Sequence, residues 1–242
     1  MVLHVGSWQR LHYMLMTKEL LNYLMVKNVV DSGEIGNITS IQSRVYGQRG
    51  VCFGWRADPK AGGGMLYDWG IHLIDQALMV LGWDVDTVNC RFDNITNSEV
   101  DDGFQLDIRL KSGKRAYIEV GTYNFIAMPR FYMRAKKGTA LITDWREEAQ
   151  VVKCKHWHES EVLPVETAAG LTKTMAPRDS ITMDTYEIDI PKSDVHDFYR
   201  NFVKAIDGEE QQIVTHEQMM FVMKIMEAAF ESDRLGMPVK ID

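Results

Sequence analysis

The stretch FQLDIRLKSGKRAYIEV, Phe104–Val120, determines the fold class of this chain. Apolar and polar residues alternate on both sides of Lys111–Lys114, and a period of two is typical of strands with one buried face. Lys111–Lys114 has the sequence KSGK, and a short polar turn with glycine between two such runs predicts a hairpin. The stretch therefore predicts two neighbouring antiparallel strands.

Similar runs on either side extend this hairpin into a larger sheet. A second turn that contains lysine and glycine, Lys136–Gly138, separates two of these runs. The further predicted strands are Ile38–Tyr46, Val85–Phe92, Phe131–Ala135 and Ala140–Thr143, with Val151–Cys154 and Tyr186–Ile190 as additional candidates.

Apolar residues at helical spacing predict helices before and after the strands. These helices are Leu11–Val30, Met65–Leu81, Ser193–Ile206 and His216–Arg234, with Gly82 as a C-cap and Ser193 and Thr215 as N-caps. Glu159–Ser180 is weakly patterned and predicts a long surface loop, and Asp101–Asp102 predicts a solvated turn. Strands in succession, with helices grouped around them, are typical of an α+β fold with an open, largely antiparallel sheet.

The composition argues against several classes of protein. The chain of 242 residues carries a formal net charge of -7, which disfavours nucleic-acid binding because phosphate contacts need clustered Lys and Arg. We find no apolar run long enough for a membrane span and no signal-peptide pattern at the N-terminus. Cys52, Cys90 and Cys154 are widely spaced, which predicts thiols in a reducing compartment and a cytoplasmic protein.

The segment AGGGMLYDWGIHLIDQ, Ala61–Gln76, contains the strongest candidate site. Asp68 and His72 are four residues apart, so on a helix they lie on one edge, with Asp75 close by. A carboxylate beside an imidazole can orient it and raise its basicity, as a general base requires. Gly62–Gly64 would let the backbone turn sharply or approach a ligand closely. The alternative is a merely structural Asp–His pair after a flexible loop.

Two other groups of residues have the chemistry of a site. Trp55 and Arg56, with Asp58, could line a polar pocket in which Arg56 donates to hydroxyl or carboxylate oxygens, or they could be a buried Trp and a salt-bridged Arg. Cys154, His156 and His158 alternate and would face one way on a strand, as zinc ligands could. Because this segment lacks a defined fourth ligand and is dense with charge, we predict no metal site.

The segment WRADPKAGGGMLYDWGIHLIDQALMVLG, Trp55–Gly82, resembles the signature of the Gfo/Idh/MocA oxidoreductases. That signature has WR, a glycine-rich turn, D-x-G-x-H-x-x-D and a closing Leu-Gly. YLMVKNVVDSGEIGNITSIQSR, from Tyr23, resembles the family's helix and first sheet strand after its nucleotide domain, and AFESDRLGMPVKI resembles its closing helix and strand. The resemblance covers residues 23–242 as one α+β domain, whereas residues 1–22 match poorly.

The resemblance implies an NAD(P)-dependent oxidoreductase that acts on sugars, cyclitols or related polyols. Family members join an N-terminal Rossmann domain to a C-terminal α+β domain, like that of glucose-fructose oxidoreductase and dihydrodipicolinate reductase, with helices packed on one face of an open sheet. By resemblance, His72 is the acid/base and Asp68 its partner, while Trp55, Arg56, Gly63 and Gly64 lie near the substrate. The open face often packs against its mate, which implies a homodimer or higher oligomer.

This chain lacks the glycine fingerprint GxGxxG and the Glu-Lys-Pro motif of the family's Rossmann domain. The family implies NAD or NADP, but we expect this chain alone not to bind either cofactor and to be inactive. Our first hypothesis is therefore a substrate-binding and oligomerisation domain. A second is a binding or scaffold module that dimerises through its sheet, favoured if both faces of Phe104–Val120 are apolar. A third is a metal-assisted hydrolase or isomerase that uses His72 or the segment at Cys154.

Overall fold

The computed structural model describes residues 17–51, 53–145, 147–155, 163–178, 180–191, 194 and 196–242. An open sheet of 9 strands is its central element. These strands are β1 (Ile38–Tyr46), β2 (Val85–Asp93), β3 (Gly103–Leu110), β4 (Arg115–Gly121), β5 (Phe131–Ala135), β6 (Gly138–Ile142), β7 (Ala149–Cys154), β10 (Met183–Ile188) and β11 (Val239–Lys240). A separate hairpin pairs β8 (Val165–Thr167) with β9 (Gly170–Thr172).

The strand order is β10-β7-β6-β5-β1-β4-β3-β2-β11. β1 and β4 run parallel, and every other neighbouring pair is antiparallel. The predicted α+β fold with a largely antiparallel sheet is confirmed. Glu159–Ser180, which the sequence predicts as a long surface loop, contains the short hairpin β8–β9; three-residue strands are too short to show a period.

Helices flank the strands as predicted, with α1 at Thr17–Asp31, α2 at Ile71–Leu81, α3 at His196–Ile206 and α4 at His216–Leu235. Thr215 caps α4 in a capping box with Gln218, as its position predicts. The predicted start of the first helix at Leu11 and the N-cap Ser193 lie outside the described residues. None of the helices described is long and apolar enough to cross a membrane.

Helices cover one face of the sheet. On the hairpin β3–β4, alternate residues such as Phe104, Leu106 and Ile118 are fully buried in the hydrophobic core. The residues between them, among them Glu119, are half-buried on the open face. These intervening side chains are Gln105, Asp107, Tyr117 and Glu119, so on this hairpin the open face is largely polar and the condition that would favour an apolar scaffold is not met.

Candidate functional site

The helix that carries Asp68 and His72, here called the site helix, spans Leu66–Leu81. It begins differently from the continuous helix that the sequence predicts over Met65–Leu81. A π-helical turn, Leu66–Gly70, comes first, and α2 follows directly from Ile71. Gly70 lies against the core in this turn: a Cβ there would be 2.7 Å from Leu66 Cδ1 and 3.1 Å from Phe104 Cζ. The turn carries Asp68, so the wider winding sets where this carboxylate lies.

Gly62–Gly64, here called the glycine turn, lies just before this helix and folds tightly onto the preceding loop. Gly63 N donates to Asp58 O over 2.9 Å, and Gly64 N donates to Arg56 O over 3.0 Å. A Cβ on Gly63 would be 2.6 Å from Arg56 O, closer than real Cβ atoms approach backbone. Gly63 and Gly64 are both buried, so this turn is a packed part of the site and not a flexible hinge.

Asp101 holds the start of the site helix. Its Oδ2 accepts a hydrogen bond from Leu66 N over 2.8 Å, and its backbone O accepts from Met65 N over 3.1 Å. Asp101 and Asp102 are both buried, so the predicted solvated turn is wrong. No local pattern signals this role, because Leu66 lies 35 residues earlier in the chain.

Burial raises the pKa of the Asp101 carboxyl from its ordinary 3.8 to about 6, although backbone amides that donate to it lower the pKa. Because the folded pKa lies above the ordinary one, protonated Asp101 contributes stability that is present below pH 3.8. This contribution is lost as the pH rises through about 6. The carboxylate therefore occupies this position at a cost in stability at neutral pH.

Arg56 and Asp68 form the ion pair of the site. Arg56 Nε donates to Asp68 Oδ2 over 2.7 Å, with 15% of the Asp68 side chain and 38% of the Arg56 side chain exposed. The Arg56 guanidinium stacks over the Trp55 ring at 4.5 Å, and Trp55 is exposed. The structural alternative is therefore half right: the Arg is salt-bridged, but the Trp is not buried.

His72 follows one turn later, as the second residue of α2. It is half-buried, and its Nδ1 faces the protein interior, whereas Asp75 is buried further along the helix. The contacts above thus bring Arg56 and Asp68 together above the glycine turn. His72 lies four residues after Asp68 in the chain, on α2, which follows the π-helical turn directly.

The glycine turn does not fit the diphosphate of a dinucleotide. Such a group is bound by backbone amides at a helix N-terminus that are free to donate to it. Here the amides of Gly63, Gly64, Met65 and Leu66 all donate within the protein, to backbone oxygens or to the Asp101 carboxylate. Asp101 itself is the anion at this helix start.

The described part of the chain brings together no group of three His, Cys, Asp or Glu side chains that could hold a metal ion. Cys154 closes β7. His156 and His158, the other members of the alternating segment, lie outside the described residues.

Comparison with known proteins identifies relatives of this chain. Residues 23–141 match the family model of the GFO/IDH/MocA C-terminal domain. The scyllo-inositol 2-dehydrogenase (NADP(+)) IolW of Bacillus subtilis is 26% identical over 217 residues, which are 88% of this chain and 59% of that protein. An uncharacterized oxidoreductase of Schizosaccharomyces pombe is 33% identical over 63 residues, or 25% of this chain and 17% of that protein.

Solved structures share the fold of this chain. An NAD-binding protein from Listeria innocua is 36% identical with a TM-score of 0.84, over 90% of this chain and 63% of that one. An oxidoreductase from Bacillus cereus, 18% identical, shares the fold with a TM-score of 0.70 over 92% of this chain and 63% of that one. The chain spans less than two thirds of the length of these relatives. Residues 23–141 belong to the C-terminal domain of the GFO/IDH/MocA oxidoreductase family.

Proposed function

We propose that this chain is the substrate-binding part of a cytoplasmic NAD(P)-dependent oxidoreductase that acts on a polyol of the inositol type. The observation that carries the proposal is the Arg56–Asp68 ion pair above the glycine turn, with His72 on the following helical turn. These residues lie within the stretch that matches the family model. The relative IolW, whose printed name is scyllo-inositol 2-dehydrogenase (NADP(+)), supports the substrate class.

The side chains suit a ring that carries many hydroxyl groups. Arg56 is partly exposed and uses Nε on Asp68, so its other N–H groups can donate to substrate oxygens. Asp68 holds this guanidinium in place from the site helix. Trp55 is exposed beside it, and the C–H side of a cyclitol can pack against the part of the ring that Arg56 does not cover.

His72 is the residue that we propose takes the proton from the reacting hydroxyl. An imidazole can gain and lose a proton close to neutral pH, as general acid/base work requires. In oxidoreductases of this kind a bound nicotinamide accepts the hydride. Because the glycine turn does not fit a dinucleotide diphosphate, we assign no residue of this chain to that cofactor. We therefore infer that the chain alone is inactive.

A fluorescence titration of the purified chain with NADH and NADPH tests this assignment. We expect no saturable change up to about 1 mM, which corresponds to a binding free energy weaker than about -4 kcal/mol. The NAD-binding Listeria innocua relative, titrated in parallel, is the positive control. Saturable binding by this chain below that concentration would contradict the assignment.

A second proposal concerns self-association through the open face, which we expect to form a homodimer or a higher oligomer. Arg44 Nε donates to Glu119 Oε2 over 3.3 Å, and only 11% and 21% of these side chains are exposed. The Arg44 guanidinium lies 5.4 Å from the centre of the Tyr117 ring. Burial and the hydrogen bond to Glu119 raise the pKa of Tyr46. This ordered polar network supports an interface with charged and aromatic contacts, as interfaces often have.

Sedimentation velocity tests the interface with one variant on the open face and one away from it. Tyr132 lies opposite Gln42 on β1, so Tyr132→Glu places a charge in the centre of the proposed interface. Leu171 lies on β9, outside the main sheet, and Leu171→Glu is the matched control. We expect Tyr132→Glu to sediment as a monomer and Leu171→Glu to remain associated like the native chain. A native chain that is monomeric at about 100 μM would rule out a stable homodimer.

A further inference from the structure

Asp101 and Asp102 are neighbours in sequence and are both buried, but they bind different parts of the protein. The Asp102 carboxylate accepts from Thr96 Oγ1 over 2.9 Å, from Asn97 N over 3.2 Å and from Thr96 N, all within its own loop. The Asp101 carboxylate accepts from Leu66 N, at the start of the site helix. One carboxylate thus closes a loop, and the other joins that loop to the site.

The contact with Leu66 acts on the turn that presents Asp68. Leu66 is the first residue of the π-helical turn, and Asp68 lies two residues further on. Asp101 Oδ1 also occupies the space beside Gly64, where a Cβ would be only 2.1 Å away. The Oδ1 atom of Asp101 therefore fills the volume that a side chain at residue 64 would take, and its Oδ2 atom holds the helix start through Leu66 N.

The helix start offsets part of the cost of burying a negative charge at this place. The N-terminus of a helix carries a partial positive charge, and an acceptor there satisfies amides that have no partner within the helix. A neutral Asn or Ser could accept the same hydrogen bond without the cost of burying a charge. The burial that raises the pKa of Asp101 shows that this cost is present.

We propose that Asp101 is a positioning residue of this site. By holding Leu66 and filling the space beside Gly64, it sets the position from which Asp68 and His72 meet a bound substrate. The part of this inference that concerns a substrate rests on the proposed function, whereas the part that concerns the helix start does not.

Hydrogen exchange of the full chain, followed by mass spectrometry, tests the position of the helix start. In Asp101→Ala, we expect amides in residues 62–70 to exchange roughly tenfold faster or more, because a buried amide loses its acceptor. In Asp102→Ala, the matched control, we expect the faster exchange in residues 94–100 instead. Asp101→Asn keeps an acceptor oxygen and should retain most of the protection in residues 62–70.

The two alanine variants also distinguish a positioning role of Asp101 from a purely structural one. If both variants accelerate exchange equally in both segments, then Asp101 only stabilises the fold and the proposal is overturned. If Asp101→Ala does not fold, Asp101→Asn is measured in its place: retained protection in residues 62–70 supports the role of the acceptor oxygen, and faster exchange spread equally over residues 62–70 and 94–100 overturns it.

A second readout connects the helix start to a ligand. Tryptophan fluorescence of the chain, with Trp55 beside Arg56, is titrated with scyllo-inositol. We expect Asp101→Ala to weaken the response and Asp102→Ala to leave it unchanged. If the native chain gives no response, the proposed substrate class fails, while the exchange experiment still decides whether Asp101 positions the helix.

Discussion

Replacing Gly64 by alanine is expected to destabilise the chain by about 3 kcal/mol or more, which lowers the melting temperature of a protein of this size by roughly 6–12 °C. Gly64 has a φ of +107°, a conformation that costs an L-residue about 1–2 kcal/mol. A Cβ there would also lie 2.1 Å from Asp101 Oδ1, so the carboxylate has to leave its place. Chemical denaturation measures the free energy of unfolding directly.

Gly62 provides the matched control for this experiment. It has a φ of +79°, but a Cβ there meets no atom within 4 Å. Gly62→Ala should therefore carry only the conformational cost of about 1 kcal/mol. A double variant, Gly64→Ala with Asp101→Ala, should recover part of the loss because the clash is gone. Equal losses for Gly64→Ala and Gly62→Ala would show that Asp101 does not press on the turn.

The second large effect is expected at His72. The experiment joins this chain to the part of the Listeria innocua relative that this chain does not match, and measures oxidation of scyllo-inositol with NAD and NADP. His72→Gln should lower kcat/KM by about 10²–10⁴-fold, the usual contribution of a general acid/base. Glutamine keeps a polar side chain of similar length but cannot exchange a proton near neutral pH.

His216 is the control for this substitution. It lies exposed at the start of α4, away from the glycine turn in sequence and on another helix. His216→Gln should leave kcat/KM unchanged within about twofold, since surface substitutions rarely matter. If His72→Gln keeps activity close to that of the parent while the joined protein turns over inositol, the proton acceptor is another residue.

The sequence allowed most of the sheet to be predicted but not the anchoring of the site. Strands such as Phe104–Leu110 alternate clearly, because one face is buried and the other is half-exposed, so their bounds differ from prediction by about one residue. The alternation within a strand depends only on residues of that strand. The contact of Asp101 with Leu66 joins residues 35 positions apart in the chain, so no local pattern reports it. The sequence suggested a solvated turn at Asp101–Asp102 before the Phe104 strand, since only tertiary contacts show that both residues are buried.

The candidate site shows the same division. Residue type and spacing, and then the family resemblance, indicated Asp68, His72 and Arg56, and the structure pairs Asp68 with Arg56. Spacing on an ideal helix placed Asp68 and His72 on one edge, but the π-helical turn at Leu66–Gly70 changes the winding between them. Periodicity in the sequence does not signal this turn, in which Gly70 packs against Leu66 and Phe104.

The position of β1 in the sheet has a consequence for how the chain folds. On one side of β1, strands β4, β3 and β2 pair with their neighbours in sequence, and on the other side β5, β6 and β7 do the same. Each of these halves can form from local contacts. β1 joins them by pairing with residues far along the chain, for example Arg44 with Glu119, 75 residues later. Since closing a long stretch of chain is slow, insertion of β1 is the step expected to limit the folding rate.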